Sequence, residues 1–298
     1  MRGYTIVSSM TTLMYVVAAI AGGLGMYLGI AGAFQLIYYR GLRERAAEWK
    51  CQPNRFLSPR MSRQQLVLGT ANMLAASVAS GFFAAYLAGG GRSAVYFDLR
   101  EHGILSALGG TVVYFLLTDA ALYWAHRTFH RPLLFRYIHR YHHRYTSPNA
   151  FTAMAMHPLE LATYQSIMIL PLFVLPVHVG GLIFVLVYQN YVALVDHSGI
   201  DLHSWLPWQP PTRFHDDHHV HFHVNYGQNM GLWDRIFGTY RREGRVYGVE
   251  VFGGRGAATD GASAAGPARY VDYSRKKRAS APAPAATPSA AAAADTTS

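Results

Sequence analysis

Three histidine clusters define the chemistry open to this chain: His126-x-x-x-His130, His139-x-x-His142-His143 and His215-x-x-His218-His219. On a helix, positions i, i+3 and i+4 share a face, so each cluster is expected to present its imidazoles together toward one point. Imidazole suits Zn, Cu, Fe and Ni, and two ions with four or five nitrogen ligands each need about eight to ten histidines. The chain has 15 histidines beside 1 cysteine. A structural zinc site takes four ligands and a zinc hydrolase three with an open position, so either leaves half or more of the clustered imidazoles unused. A dinuclear site accounts for them. His197, in Asp196-His197-Ser198-Gly199, and His157, in His157-Pro158-Leu159-Glu160, flank the same region and are taken as further ligands. Asp119, Tyr123, His126 and His130 follow at steps of four, three and four, one helical stripe on which Asp119 and Tyr123 stand behind the metal, with Asp119 placed to orient a ligand. His102, His178, His203, His221 and His223 are read as non-ligands.

The elements that carry these residues are apolar. Hydrophobic residues make up 51% of the chain and charged residues 14%, against about a quarter charged in a soluble domain. A single cysteine, Cys51, excludes an internal disulfide. Gly3 to Tyr39 and Gln64 to Gly91 contain no Asp, Glu, Lys or Arg, and each exceeds the ~20 residues that cross a bilayer. The first is too long for a signal-peptide core and is expected to remain as an anchor. Its Gly23-Leu24-Gly25 and Gly25-x-x-x-Gly29 spacings are expected to aid helix packing. A third span runs from about Gly103 to Ala125, and a fourth charge-free run from Leu161 to Val195 is broken by Pro171, Pro176, His178 and Gly180-Gly181 into a hairpin of two short or tilted helices. The predicted architecture is therefore an all-α integral membrane protein with four to five membrane helices, including the hairpin, and a helical cap carrying the dinuclear site.

Basic loops orient it. Arg40 to Arg63 is strongly basic, and residues 126–149 hold Arg127, Arg131, Arg136, Arg140 and Arg144 with no acid. The positive-inside rule places both segments, and hence every histidine cluster, in the cytosol. The expected organisation is residues 1–99 as membrane anchor helices with a basic loop, 100–245 as the catalytic domain, and 246–298 as a disordered Ala/Pro/Ser-rich tail with a basic run at Arg275 to Arg278. The net charge of +10 is then a membrane-face property, and no nucleic-acid partner is implied.

Residues 100–245 resemble the fatty acid hydroxylase and sterol desaturase superfamily of integral membrane di-iron oxidases. The resemblance is carried by Asp119-x-x-x-Tyr123-Trp124-x-His126-Arg127-x-x-His130, His139-x-x-His142-His143, His157-Pro158, and the block from His215-x-x-His218-His219 through Asn225-Tyr226-Gly227 to Trp233-Asp234-Arg235-x-Phe237-Gly238-Thr239-Tyr240. The wording of Asn225-Tyr226-Gly227-Gln228 and Trp233-Asp234-Arg235 is most like the sterol C-5 desaturases, whereas Asp196-His197-Ser198-Gly199 is closer to the methyl sterol monooxygenases. The resemblance implies two Fe ions, O2 as co-substrate, and desaturation or hydroxylation of an unactivated C–H of a sterol-like lipid. Fatty-acid or sphingolipid hydroxylation and methyl sterol oxidation are the alternatives within the superfamily. It further implies electrons from NAD(P)H through an external carrier, typically cytochrome b5 with its reductase, and residence in the endoplasmic reticulum. The arginines of residues 126–149 suit an acidic carrier, and the block Trp233 to Tyr240 is expected to close the cap behind the last cluster. A divalent metal transporter is the rival from another class. It would place its ligands near the bilayer midplane, whereas each cluster here begins where a span ends.

Overall fold

Charge-free sequence becomes long helix. The computed structural model describes residues 9–247, 257–258 and 269–273. Helix α1 (Ser9–Phe34) runs on through a π-helical turn at Gln35–Gly41. Helix α2 (Pro59–Ala88) starts where sequence chemistry demands, with the Ser58 hydroxyl accepting the Met61 N–H and Pro59 in the first turn, where its missing N–H costs nothing. Helix α3 (Gly103–Phe129) delivers the first histidines. The expected hairpin is present: α4 (Pro158–Ile169) passes through a 3-10 turn at Leu170–Phe173, and α5 (Val179–Asp196) returns. Two short helices, α6 (Arg213–His221) and α7 (Leu232–Ile236), build the cap.

Four of these helical segments are long and apolar enough to cross a membrane: Ser9–Gly41, Pro59–Ala88, Gly103–Phe129 and Val179–Asp196. Their outward faces are greasy. Met10, Leu13 and Met14 on α1, Leu105, Leu108 and Val112 on α3, and Ile183, Phe184 and Val187 on α5 are all exposed in the isolated chain, the reverse of a water-soluble surface and what a hydrocarbon solvent calls for. Between the helices, several polar side chains are satisfied by hydrogen bonds within the bundle. Tyr114 donates to the Met168 carbonyl at 2.6 Å, Gln189 donates to Thr118 Oγ1 at 3.0 Å, and Asn72 spans the Met154 and Met156 carbonyls, each at 2.8 Å.

The two ends of the bundle differ. At one end, β1 (Val95–Tyr96) pairs in parallel with β2 (Val177–His178), tying the α2–α3 connection to the hairpin tip. Val95, Tyr114, Leu172 and Val177 pack into one core cluster there. His102 and His178 sit against Tyr96, with centroids 4.6 and 5.4 Å away, at the end remote from the clusters. The opposite end carries the C-termini of α1, α3 and α5, the N-termini of α2 and α4, and the cap.

Helices α1 and α2 approach closely through one of the three expected glycines, Gly23, and not through the other two. Nothing stands within 4 Å of a Cβ built at Gly25 or Gly29. The contact lies instead at Gly81, where an added Cβ would come within 2.5 Å of Val16 Cα, and at Gly23 against Ser77. A spacing motif within one helix does not specify which side faces the partner. A second difference concerns the C-terminal region. The expectation that 246–298 stands apart as a solvated tail fails for two stretches: β3 (Arg245–Val246) pairs antiparallel with β4 (Ala257–Ala258), and Arg242 bridges to Tyr270. Tyr273 is buried, donates to Asp217 Oδ2 at 2.6 Å and accepts from Asn225 Nδ2 at 2.9 Å. Two tyrosines supply apolar area that an average over Ala, Pro and Ser conceals. Arg275 to Arg278 lie outside the described residues.

Gly81→Ala should lower the melting temperature in detergent, by the equivalent of about 1–3 kcal/mol for an overpacked contact against backbone. Gly25→Ala, with open space around it, should leave melting unchanged; equal loss in both variants would contradict this helix packing.

Candidate metal centre

Nine histidines from four segments converge in two groups. His126, His130, His139, His143 and His218 form the first, and His142, His197, His215 and His219 the second. Within each group the ligand-capable atoms lie within 4.8 Å of one another, and every member is buried. His126 comes from the last turn of α3, with His130 directly after it. His139, His142 and His143 come from a π-helical turn, Phe135–His139, that continues into the helical turn Arg140–His143. His197 follows the end of α5, and α6 supplies the last three.

The clusters do not each aim at one point. In the helical turn, His139 and His143 serve the first group and His142 the second, while in α6 His215 and His219 serve the second and His218 the first. Helix geometry explains the division: residues i and i+4 differ by about 40° around the axis, whereas i+3 lies about 100° from i+4. These two segments therefore straddle both positions, whereas His126 and His130 serve only the first and His197 only the second.

Hydrogen bonds behind the rings fix which nitrogen faces inward. Nδ1 of His126 meets the Tyr226 carbonyl at 2.8 Å, Nδ1 of His139 meets Glu160 Oε1 at 2.8 Å, Nδ1 of His197 meets the Ala193 carbonyl at 2.7 Å, and Nδ1 of His218 meets the Val224 carbonyl at 2.6 Å. Carbonyl oxygens only accept, so Nδ1 of His126, His197 and His218 carries the proton and Nε2 turns a lone pair inward. The resulting approaches are those of ligands around a cation. His218 and His143 stand 3.0 Å apart through Nε2, His142 and His197 3.1 Å, and His197 and His215 3.0 Å. Two nitrogens bound at right angles to one ion at about 2.1 Å are about 3 Å apart. Nε2 of His126, His139 and His219 and both nitrogens of His130 are buried with no hydrogen-bond partner, a costly arrangement that coordination would resolve. The donor set fits two first-row transition ions.

Protonation points the same way. Burial, reinforced by neighbouring imidazoles, pushes His130, His142, His143, His215, His218 and His219 well below the usual histidine range, and burial takes His197 down to about 4. Neutral rings with available lone pairs are the form a metal requires.

Several residues have roles other than those expected. His157 does not join either group; half-buried, it caps α4 by accepting the Leu159 N–H on Nδ1 at 3.1 Å. Asp119 bonds to no histidine. Its carboxylate accepts from Asn229 Nδ2 at 2.9 Å and Trp233 Nε1 at 2.7 Å, anchoring the cap to α3. Tyr123 bonds Thr239 at 2.9 Å and stacks on Phe237, whose ring also meets Trp124, so the Trp233 to Tyr240 block packs against the end of α3 as expected. His203 is exposed and His221 half-buried on α6, while His223, buried 5.7 Å from His130 between ring centroids, belongs to neither group.

The residues missed from sequence are the backing groups. Glu160 was visible as the one charge at the head of an uncharged run, yet its partner His139 is 21 positions away. The carbonyls of Ala193, Val224 and Tyr226 carry no side-chain signal at all. Two of them are positioned by an unusual reversal after α6, where Phe222 and Asn225 have φ of 62° and 55°. Asp234 secures that reversal by accepting the Tyr226 and Gly227 N–H groups, both at 2.8 Å, and the Thr239 hydroxyl at 2.6 Å.

Membrane-length helices that gather nine buried imidazoles at one end define a histidine-rich helical membrane domain with two candidate metal positions. Residues 111–239, which contain all nine, match the model of the fatty acid hydroxylase family, and this part of the chain is similar in sequence to the sterol desaturases. It is 34% identical over 156 residues to the Delta(7)-sterol 5(6)-desaturase of Saccharomyces cerevisiae, covering 51% of this chain and 42% of that protein. It is 33% identical over 156 residues to the Delta(7)-sterol 5(6)-desaturase of Candida glabrata, with the same coverage of 51% and 42%. Against the lathosterol oxidase of Rattus norvegicus identity is 32% over 164 residues, covering 51% of this chain and 52% of that protein. The matched region thus spans about half the length of these relatives or less. No solved structure matches the chain.

Glu160→Gln should weaken metal retention about 10- to 100-fold, the usual effect of removing a group that backs a ligand, whereas His157→Ala should retain the full metal complement; metal analysis after dialysis against a chelator measures both. In metal-free protein, depressed histidine pKa values mean that the unfolded chain binds protons below its ordinary value of about 6.5 while the folded chain does not. The melting temperature should therefore fall as pH drops from about 6.5 toward the His197 value of about 4. A flat profile over that window would show that these rings are not buried neutral.

Proposed function

We propose that this chain is an O2-dependent membrane lipid oxidase that desaturates or hydroxylates an unactivated C–H of a sterol-like lipid. The observation that carries the proposal is the pair of buried groups, with five and four imidazoles, behind which Glu160 and three carbonyls set the ring orientations. His126, His130, His139, His143 and His218 would hold one iron and His142, His197, His215 and His219 the other. Iron, unlike zinc, is redox-active, and with O2 it supplies the oxidising power that removal of hydrogen from an unactivated carbon requires. The printed activities of the relatives, sterol 5(6)-desaturation and lathosterol oxidation, favour a sterol-like substrate with desaturation as the outcome.

The chain's own contribution is placement and exclusion. Burial of all nine rings keeps bulk water from the reacting positions. Carbonyl and carboxylate partners lock the rings, so a substrate carbon meets a centre of fixed geometry, and fractions of an ångström in that placement decide between one hydrogen and two. The apolar outer faces of α1, α3 and α5 let a lipid approach from within the bilayer. Arg131, Arg136 and Arg140 are exposed beside the site and suit an acidic electron carrier such as cytochrome b5 with its NAD(P)H-dependent reductase. The basic segments 40–63 and 126–149 favour a cytosolic site, and the sterol resemblance favours the endoplasmic reticulum.

The purified protein should contain about two irons per chain, as the ligand arithmetic requires; zinc alone in an active preparation would overturn the reading. His142→Ala and His218→Ala, one from each group, should each abolish turnover while membrane insertion persists. Expression in cells lacking C-5 sterol desaturation, with mass spectrometry of sterols and acyl chains, identifies the substrate. Restored 5,6-unsaturation is expected, and an unchanged sterol pattern with new hydroxylated acyl chains would replace the sterol reading with a fatty acid hydroxylase.

A further inference from the structure

A cleft of about 990 Å³ opens beside the metal centre, between the first three turns of α2, the turn Tyr141 to Tyr145, and the start of α4. Its size is at the upper end of small-molecule sites. Its two parts have opposite chemistry. Arg60, Arg63 and Arg144 border it, all exposed, and no carboxylate lines it. Among the described residues these three guanidiniums have no ion-pair partner, whereas Arg45, Arg213 and Arg241 pair with Glu48, Asp201 and Asp217. The first turn of α2 adds the positive end of a helix of 30 residues. Further along α2, Val67, Leu68 and Ala71, with Met156, make the lining apolar. This apolar wall continues along a helix that is itself a membrane-span candidate, so an occupant with its charged end among the arginines extends its apolar part into the bilayer.

We propose that this cleft binds an anionic phospholipid, with its phosphate among Arg60, Arg63 and Arg144 and an acyl chain along Val67, Leu68 and Ala71. A sterol offers one neutral hydroxyl and leaves three cations unsatisfied. A soluble phosphate leaves the apolar wall uncovered, and a peptide would have to lie along a lipid-facing helix. Guanidinium forks match phosphate oxygens in pairs, and each basic group near an anionic lipid surface contributes about 1 kcal/mol. The location gives the lipid a role. The turn Tyr141 to Tyr145 forms one wall of the cleft, and the same turn presents His142 and His143 to the two metal groups. A lipid seated there braces that turn from outside.

The full chain, purified in mild detergent with mixed phosphatidylglycerol and phosphatidylcholine, is examined by native mass spectrometry and thermal unfolding. One phosphatidylglycerol should be retained in preference to phosphatidylcholine and should raise the melting temperature. Arg60→Gln with Arg63→Gln should reduce that retention about ten-fold or more, the double Lys variant should keep most of it, and a matched double variant, Arg43→Gln with Arg136→Gln, should leave it unchanged. Equal retention of the two lipids, equal loss in the matched variant, or the same stabilisation by inorganic phosphate alone would each overturn the proposal. Metal analysis on the same samples separates a folding failure from lost lipid, since the Arg60 and Arg63 variant keeps its metal if only the cleft is affected.

Discussion

Everything at the functional end of this molecule depends on burying nine imidazoles in two groups. Such a cluster is unfavourable by itself, because several ring nitrogens are left with no hydrogen-bond partner and buried polar atoms without partners cost free energy. The chain meets this constraint from behind. Carbonyls at Ala193, Val224 and Tyr226 and the Glu160 carboxylate take up the outer nitrogens of four rings, His197, His218, His126 and His139, which leaves their inner nitrogens for cations. The strained reversal at Phe222 and Asn225, the Asp234 carboxylate that holds it, and the Asp119 anchor on α3 all serve to bring backbone oxygens to the required places.

Most of the fold could be read from residue types. Charge-free runs longer than the bilayer became helices with apolar exteriors, and the hairpin turns at Pro171 and Pro176 because proline removes a backbone donor, whereas Gly180 and Gly181 lie inside the first turn of α5. The histidine clusters were legible for the same kind of reason, since residue type and spacing alone limit what a helix face can do. Convergence of separate segments was harder. Periodicity gives the angle of a side chain about its own axis and says nothing about where a second helix stands, so of Gly23, Gly25 and Gly29 only Gly23 meets the partner helix, which approaches most closely at Gly81. His157 looked like a ligand by its neighbours in sequence and proved to be a helix cap.

The unread part of the site is the part made by backbone. A carbonyl has no letter in the sequence, and Glu160 carries one without any local hint that His139 stands opposite. The tyrosines at 270 and 273 were lost to averaging, because a low-complexity neighbourhood hides two aromatic side chains that bury against Phe214 and Tyr240. Physical reasoning from sequence is thus strongest where one segment determines its own behaviour and weakest where a long-range partner supplies half of the interaction.

The division of two of the four histidine segments between both positions has a consequence for assembly. The turn bearing His139, His142 and His143 and the helix bearing His215, His218 and His219 each contribute to both groups, so neither position can be completed without fixing segments the other also needs. Filling one position orders most of the second, and emptying one releases both, which is the linkage expected when two binding events share the same ordering cost. Under the proposed two-ion reading the positions would accordingly load as a pair, and a two-ion requirement would be enforced by the backbone rather than by the affinity of either position alone.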